Sequence, residues 1–287
     1  MNKIDYYSLS FIGKRKINQD SCVVLKPSSN SIFLAVADGM GGTAGGEVAS
    51  KTVLATAQRI LTEKFKTNVQ PEHLKNILKQ IFQASQTDIS NKKTDDSELV
   101  SMGTTLTCVL ILDDKFVCGN IGDSRIYWYN NSDLKQITVD HTHLQEYINT
   151  AGGDVAEKII EKYSHLLTRA IDGGNHEPDI YPEVMPFEYL RQGEAFVLCS
   201  DGMILDKSST STISLKNFLI GTKKLKDAAE KLVSYAYNEG SDDNITIVLC
   251  TIGKIKKYKI NLEKYAYPPT KDNSIILSLL NKWFFRT

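Results

Sequence analysis

The 287-residue chain has no excess of charge: 34 Lys and Arg balance 34 Asp and Glu. Without surplus cations it has no bulk attraction for nucleic acid or anionic lipid, so no nucleic-acid partner is expected. No apolar run approaches the roughly 20 residues that a spanning helix needs, so no transmembrane segment is expected. Met1 to Ser10 contains no apolar core segment, and a secretory signal peptide is not expected either. Cysteines are few and odd in number: Cys22, Cys108, Cys118, Cys199 and Cys250. They form no CxxC pair, and several sit inside apolar runs. This argues against a disulfide framework or a cysteine zinc site and for reduced, buried thiols in a cytoplasmic protein. The chain also lacks a solenoid-length repeat. It has no Gly-Lys-Ser/Thr ending of a P-loop, no GxGxxG, and no GxSxG elbow around Ser200.

What remains is an ordinary globular composition, 41% hydrophobic and 24% charged, with length enough to bury a large core in one or two domains. Ile32 to Ala37 is a continuous apolar run that stops at Asp38-Gly39-Met40-Gly41-Gly42, which reads as a buried strand entering a sharp glycine loop. Helical periodicity follows from Gly46 to about Phe65, and Pro71 suits the first turn of a second helix with the stripe Leu74, Ile77, Leu78, Ile81, Phe82 and Ile89. Thr105–Leu112, Lys115–Asn120, Ser124–Tyr129 and Leu134–Thr138 read as successive strands. Residues 140–185 are more polar and read as a helix-containing insertion or flap. Ala195–Cys199 is another buried strand, ending in Asp201-Gly202-Met203. Lys226–Asn238 is helical, and Asp242-Asp243-Asn244 leads into the strand Ile245–Cys250. These segments define a catalytic domain over residues 1–255. Residues 256–287 form an extension in which Ile276, Leu279, Leu280, Trp283 and Phe284 recur at helical spacing, expected to dock on the domain, the alternative being a helix that binds a partner or a membrane surface.

The chemically telling pattern is acidic residues at strand ends. Asp38 and Asp201 each leave a buried strand before Gly-Met, and Asp243 stands just ahead of one. A single Asp-Gly is usually a turn. Several such carboxylates brought together repel one another unless a cation neutralises them. All-oxygen donors suit Mg²⁺ or Mn²⁺. The glycine after Asp38 lets the backbone approach closely, so the Gly39 carbonyl is itself a candidate ligand. His141 and His143 are candidates for a zinc site or an acid/base pair, but two isolated histidines rarely suffice, and a surface loop is the expectation. Arg15, taken alone, is one cation in a basic stretch.

In order, Arg15…Asn18-Gln19-Asp20, Ala37 to Gly42, Gly46-Glu47-Val48-Ala49-Ser50, Met102-Gly103-Thr104-Thr105, Gly119 to Arg125, Asp140-His141, Leu167 to Ala170, Leu198 to Gly202 and Asp243 to Thr246 resemble the metal-dependent serine/threonine protein phosphatases (PPM, or type 2C), over about residues 8–252. Met after Asp-Gly and the short chain resemble the family's bacterial branch. The resemblance implies an α+β fold, a four-layer α-β-β-α sandwich of two mostly antiparallel sheets flanked by helices. It implies hydrolysis of phosphoserine and phosphothreonine in proteins by water activated between two Mn²⁺ or Mg²⁺ ions. Asp38 would bridge the two. Gly39 would hold the second, Asp201 and Asp243 the first, and Asp123 with Asp201 a third, weaker ion. Arg15 would grip the phosphate, with Asp20 and Asn244 as supports. Gln19 stands where many relatives have Glu, giving a neutral amide for a water-mediated metal contact. Met40 replaces the histidine proton donor of the animal enzymes. The implied partners are phosphoprotein substrates of a cognate serine/threonine kinase, and the implied state is a cytoplasmic monomer. Two other readings fit the same residues: a catalytically weak phosphatase-like regulator that binds phosphoproteins, and a small-molecule phosphohydrolase.

Overall fold

Ile32, Leu34 and Val36 alternate with Phe33, Ala35 and Ala37, and all six are buried. A strand turns successive side chains to opposite faces, so a run apolar at every position belongs to a sheet covered on both sides. The computed structural model describes residues 3–151, 155–204, 209–260 and 262 and bears this out. One five-stranded antiparallel sheet has the order β1 (Ile4–Phe11), β13 (Ile245–Ile252), β12 (Ala195–Cys199), β8 (Arg125–Tyr129) and β9 (Leu134–Gln136). The second has the order β10 (Asp179–Tyr181), β7 (Lys115–Ile121), β6 (Leu106–Leu112), β3 (Ser31–Ala37) and β2 (Ser21–Leu25), with β11 (Glu188–Tyr189) also against β7. β4 (Gly39–Met40) and β5 (Gly103–Thr104) form a short separate pair.

Three apolar layers hold these parts together. Between the sheets, Ile32, Leu34 and Val36 meet Phe196, Leu198 and Val248. Outside the second sheet, Phe33, Ala35 and Ala37 pack on α1 (Gly42–Lys64) and α2 (Leu74–Asp95) through Val53, Leu61, Leu78 and Phe82. Outside the first, Val197, Ile247 and Leu249 pack on α5 (Ser209–Gly221) and α6 (Leu225–Asn238). The expected α-β-β-α sandwich is therefore present. Burial of the thiols raises the pKa of all five cysteines, which leaves no activated thiol nucleophile among them.

Several boundaries differ from expectation. α1 starts at Gly42, four residues before the expected start, after Gly41 with φ 114°. A glycine-rich first turn has poor helix propensity, which hides the start. Pro71 opens a 3₁₀ turn, Pro71–His73, that leads into α2. The stretch 140–185 contains α3 (His143–Ala151) and α4 (Glu157–Tyr163), but its end rejoins the second sheet as β10. The proposed tail helix, Ile276 to Phe284, lies outside the described residues. Among the described residues, no helix is long and apolar enough to cross a membrane.

Candidate active site

The sandwich brings strand ends from both sheets to one edge. β3 and β7 finish there, carrying Asp38 and the Gly122-Asp123 turn. β12 finishes there at Cys199, opposite Ile247 of β13, so Asp201 and Asp243 flank neighbouring strands. Two glycines close the gaps. A Cβ on Gly202 would lie 2.0 Å from the Asn244 carbonyl oxygen, so the Asp201 turn rests directly on the Asp243 loop. A Cβ on Gly13 would lie 2.1 Å from the Asp243 carbonyl oxygen, and this contact sets the Arg15 turn on the same loop.

Arg15 consequently donates from Nη2 to Asp243 Oδ2 at 2.8 Å and from Nε to the Asp242 carbonyl at 2.9 Å. Asp243 Oδ1 accepts the Asn244 amide at 2.7 Å. The carboxylate still has lone pairs in hand, because each oxygen can accept more than one partner. Asn244 is 4% exposed and acts as a clasp. Its Oδ1 accepts from the Gln19 amide at 2.8 Å, and its Nδ2 donates to the carbonyls of Ile12 and Ile17.

Asp38 is fixed through its backbone. Its N–H donates to Thr105 Oγ1 at 2.9 Å, and its carbonyl accepts from Thr104 Oγ1 and from the Thr105 N–H. Thr105 Oγ1 also lies 2.8 Å from Ser124 Oγ, beside Asp123. The Met-Gly-Thr-Thr and Gly-Asp-Ser-Arg segments are thus the mount of Asp38. Gly39 is crowded from both sides: a Cβ there would lie 2.0 Å from the Gly46 carbonyl oxygen and 2.6 Å from that of Gln19. Gln19 spends its Nε2 on the Gly42 carbonyl at 2.7 Å, tying down the glycine loop and leaving Oε1 for other work.

These carboxylates feel one another. Burial and the charges of Asp20, Asp201, Asp123 and Asp243 push the Asp38 carboxyl well above its ordinary pKa. Burial, with Asp201 and Asp243 adding, pushes Asp20 up to about 7, although the Ser200 hydroxyl works against this. Asp20 Oδ2 accepts from Ser200 Oγ at 2.7 Å. Its Oδ1 is buried without a hydrogen bond, because Thr246 Oγ1 gives its proton to Ser10 Oγ. Such mutual repulsion stabilises protonated carboxyls, or ionised ones with a cation between them. Among the described residues, no three His, Cys, Asp or Glu side chains already converge as a closed ligand cluster. The fit to a metal therefore rests on the all-oxygen donor set, Asp38, Gly39 carbonyl, Asp201, Asp243 and Asp123, and on its concentrated negative charge. Both suit hard divalent ions.

Two expected candidates have other work. His141 is 3% exposed, not a surface residue. Its Nδ1 accepts from the Gly122 N–H at 3.0 Å, so Nε2 carries the proton and donates to Asp179 Oδ2 at 3.0 Å. Arg169 holds Asp179 from the other side. His143 sits on α3 at 3.7 Å from Glu146, and the two histidines share no site. Thr104, Thr105 and Ser124 carry no local sequence signal for this task beyond clustered hydroxyls beside glycine. His165 carries none either, yet it lines a cavity of about 420 Å³ with Arg15, Asp201 and Asp243.

An acidic, oxygen-lined edge with one arginine set into it defines a site for a divalent cation and an anionic group. Comparison with known proteins gives that class a family. The protein phosphatase 2C profile matches residues 10–246, and the chain belongs to that family. It is 29% identical over 239 residues to the serine/threonine phosphatase stp of Listeria monocytogenes, covering 82% of this chain and 90% of that one. It is 31% identical over 220 residues to the serine/threonine protein phosphatase PstP of Mycobacterium tuberculosis, covering 77% of this chain and 40% of that one. The crystal structure of the PstP catalytic domain in complex with two manganese ions superposes with a TM-score of 0.72 at 29% identity, covering 88% of this chain and 99% of that one.

Proposed function

We propose that this chain is a metal-dependent protein phosphatase that hydrolyses phosphoserine and phosphothreonine. The observation that carries the reading is the gathering of Asp38, Asp201, Asp243 and Asp123 at one sandwich edge with Arg15 bonded to Asp243. Asp38, the Gly39 carbonyl, Asp201 and Asp243 would hold two divalent cations, Mn²⁺ or Mg²⁺, and Asp123 with Asp201 a third. When bound, such ions neutralise phosphate charge and make water a usable nucleophile at neutral pH.

The chain's own residues do the rest. Arg15 presents a planar fork that can take two phosphate oxygens, a geometry that lysine does not offer. Asn244 and Gln19 keep its turn on the Asp243 loop. Thr104 and Thr105 hold the Asp38 backbone still, so that little reorganisation is needed at the moment of reaction. No activated cysteine is present and Ser200 spends its proton on Asp20, which favours direct in-line attack by water without a phosphoenzyme. Residues 1–255 form the catalytic unit in this reading. Its substrates are cytoplasmic phosphoproteins made by a cognate serine/threonine kinase.

The test is hydrolysis of a phosphothreonyl peptide in EDTA, Mg²⁺ and Mn²⁺, side by side. Turnover should vanish in EDTA and return with either cation. Activity that survives EDTA, or that is confined to small metabolites, would overturn the assignment.

A further inference from the structure

Hydrolysis of a seryl or threonyl phosphate ends with an alkoxide leaving group, a strong base that must gain a proton as the P–O bond breaks. Met40 has no proton to give. Arg15 does not give up its proton in a protein. His141 has both ring nitrogens committed, to Gly122 and Asp179. Asp20 is 6% exposed and lies beneath the site. His143 pairs with Glu146 on the surface and His176 with Asp172, and neither lines the cavity beside Arg15. His165 does line it, with Arg15, Asp201 and Asp243. Its imidazole has no hydrogen bond or ion pair within the described structure, whereas its backbone neighbourhood is held firmly. The Leu166 carbonyl accepts from the His143 N–H at 2.9 Å, and the Thr168 N–H donates to the His141 carbonyl at 2.8 Å. Leu167 also bridges to Thr142. The flap thus suspends one uncommitted imidazole over the phosphate-binding side of the site.

Resting on the phosphatase reading above, we infer that His165 is the proton donor to the leaving oxygen of the phosphorylated side chain. In the step, the oxygen of the attacking water bonds to phosphorus and the bond from phosphorus to the seryl or threonyl oxygen breaks. The His165 imidazolium transfers one proton to that departing oxygen and becomes neutral. The water loses one proton to solvent, and solvent returns one to His165. The sum is phosphomonoester plus water giving alcohol plus inorganic phosphate.

The experiment compares wild type with His165→Gln and His165→Ala, at saturating Mn²⁺, on a phosphothreonyl peptide and on p-nitrophenyl phosphate. p-Nitrophenolate is a weak base and leaves without help. General acid catalysis contributes about 10²- to 10⁴-fold. Both variants should therefore lose about 10²-fold or more in kcat on the peptide, and at least tenfold less on the aryl phosphate. KM for the peptide should move little. Equal losses on both substrates, no loss on either, or a change confined to KM would each overturn the inference while wild-type peptide turnover leaves the phosphatase reading standing. Absence of wild-type peptide turnover would remove the phosphatase reading itself, and this inference with it.

Discussion

Asp38→Ala should lower kcat for Mn²⁺-dependent phosphopeptide hydrolysis by on the order of 10³-fold or more. Metal Lewis-acid and nucleophile terms are worth several kcal/mol, and each factor of ten in rate corresponds to about 1.4 kcal/mol. The residue matters because its backbone is fastened by Thr104 and Thr105 while its side chain faces four other carboxylates. A folding defect can be told apart from a catalytic one. The Asp38 pKa is raised in the folded state, so its contribution to metal-free stability is fully present below its unfolded value. That contribution is lost as pH rises through the folded value. At neutral pH without metal, holding this carboxyl buried among like charges therefore works against folding, and the alanine variant should melt in EDTA no lower than wild type. Near-normal activity in a well-folded variant would end the metal account.

Asp140→Ala should cost stability where Asp38→Ala does not. Arg125 Nε and Nη2 grip both Asp140 oxygens, the shortest contact being 2.6 Å, and the two side chains are only 10% and 9% exposed. Gln136 adds a bond to Oδ1 at 3.1 Å. Removing one partner of a buried pair leaves the other charge uncompensated, at about 3–5 kcal/mol. For a domain somewhat larger than 200 residues this is a fall in melting temperature of roughly 6–20 °C. Below its lowered melting point the variant should keep its kcat, because Asp140 braces the strand behind Asp123 and takes no part in the chemistry. Replacing both partners, Arg125→Met with Asp140→Leu, should be milder than the single change. A melting point within about 2 °C of wild type for Asp140→Ala would show that the pair is dispensable.

The parts of this molecule that were readable from sequence are those whose signal is local. Ile32–Ala37 and Ala195–Cys199 are apolar at every position and end in Asp, so both the buried strands and the residues they deliver could be read directly. β1 could not, because Ile4–Phe11 mixes Asp and Ser with its apolar residues, and β2 could not, because Ser21–Leu25 is short and only partly buried at every position. α5 was hidden by its Ser- and Thr-rich start, which favours caps and turns over helix interiors. The clasp of Gln19 on Asn244 spans 225 residues, and Arg125 meets Asp140 across a strand pair and a turn. The first exists only once β13 has returned to pair with β1, and the second only once β8 and β9 have closed against each other. The same holds for His165, an unremarkable residue in a polar stretch until the flap sets it beside Arg15.

The account turns on divalent cations being drawn to the sandwich edge by carboxylates that the chain supplies from four separate segments. Titration calorimetry of Mn²⁺ into the metal-stripped full chain tests this without reference to turnover. It should show at least two equivalents bound per chain, with the stoichiometry falling in the Asp38→Ala variant. Absence of binding heat in a folded wild-type sample, or an isotherm unchanged by loss of Asp38, would contradict it.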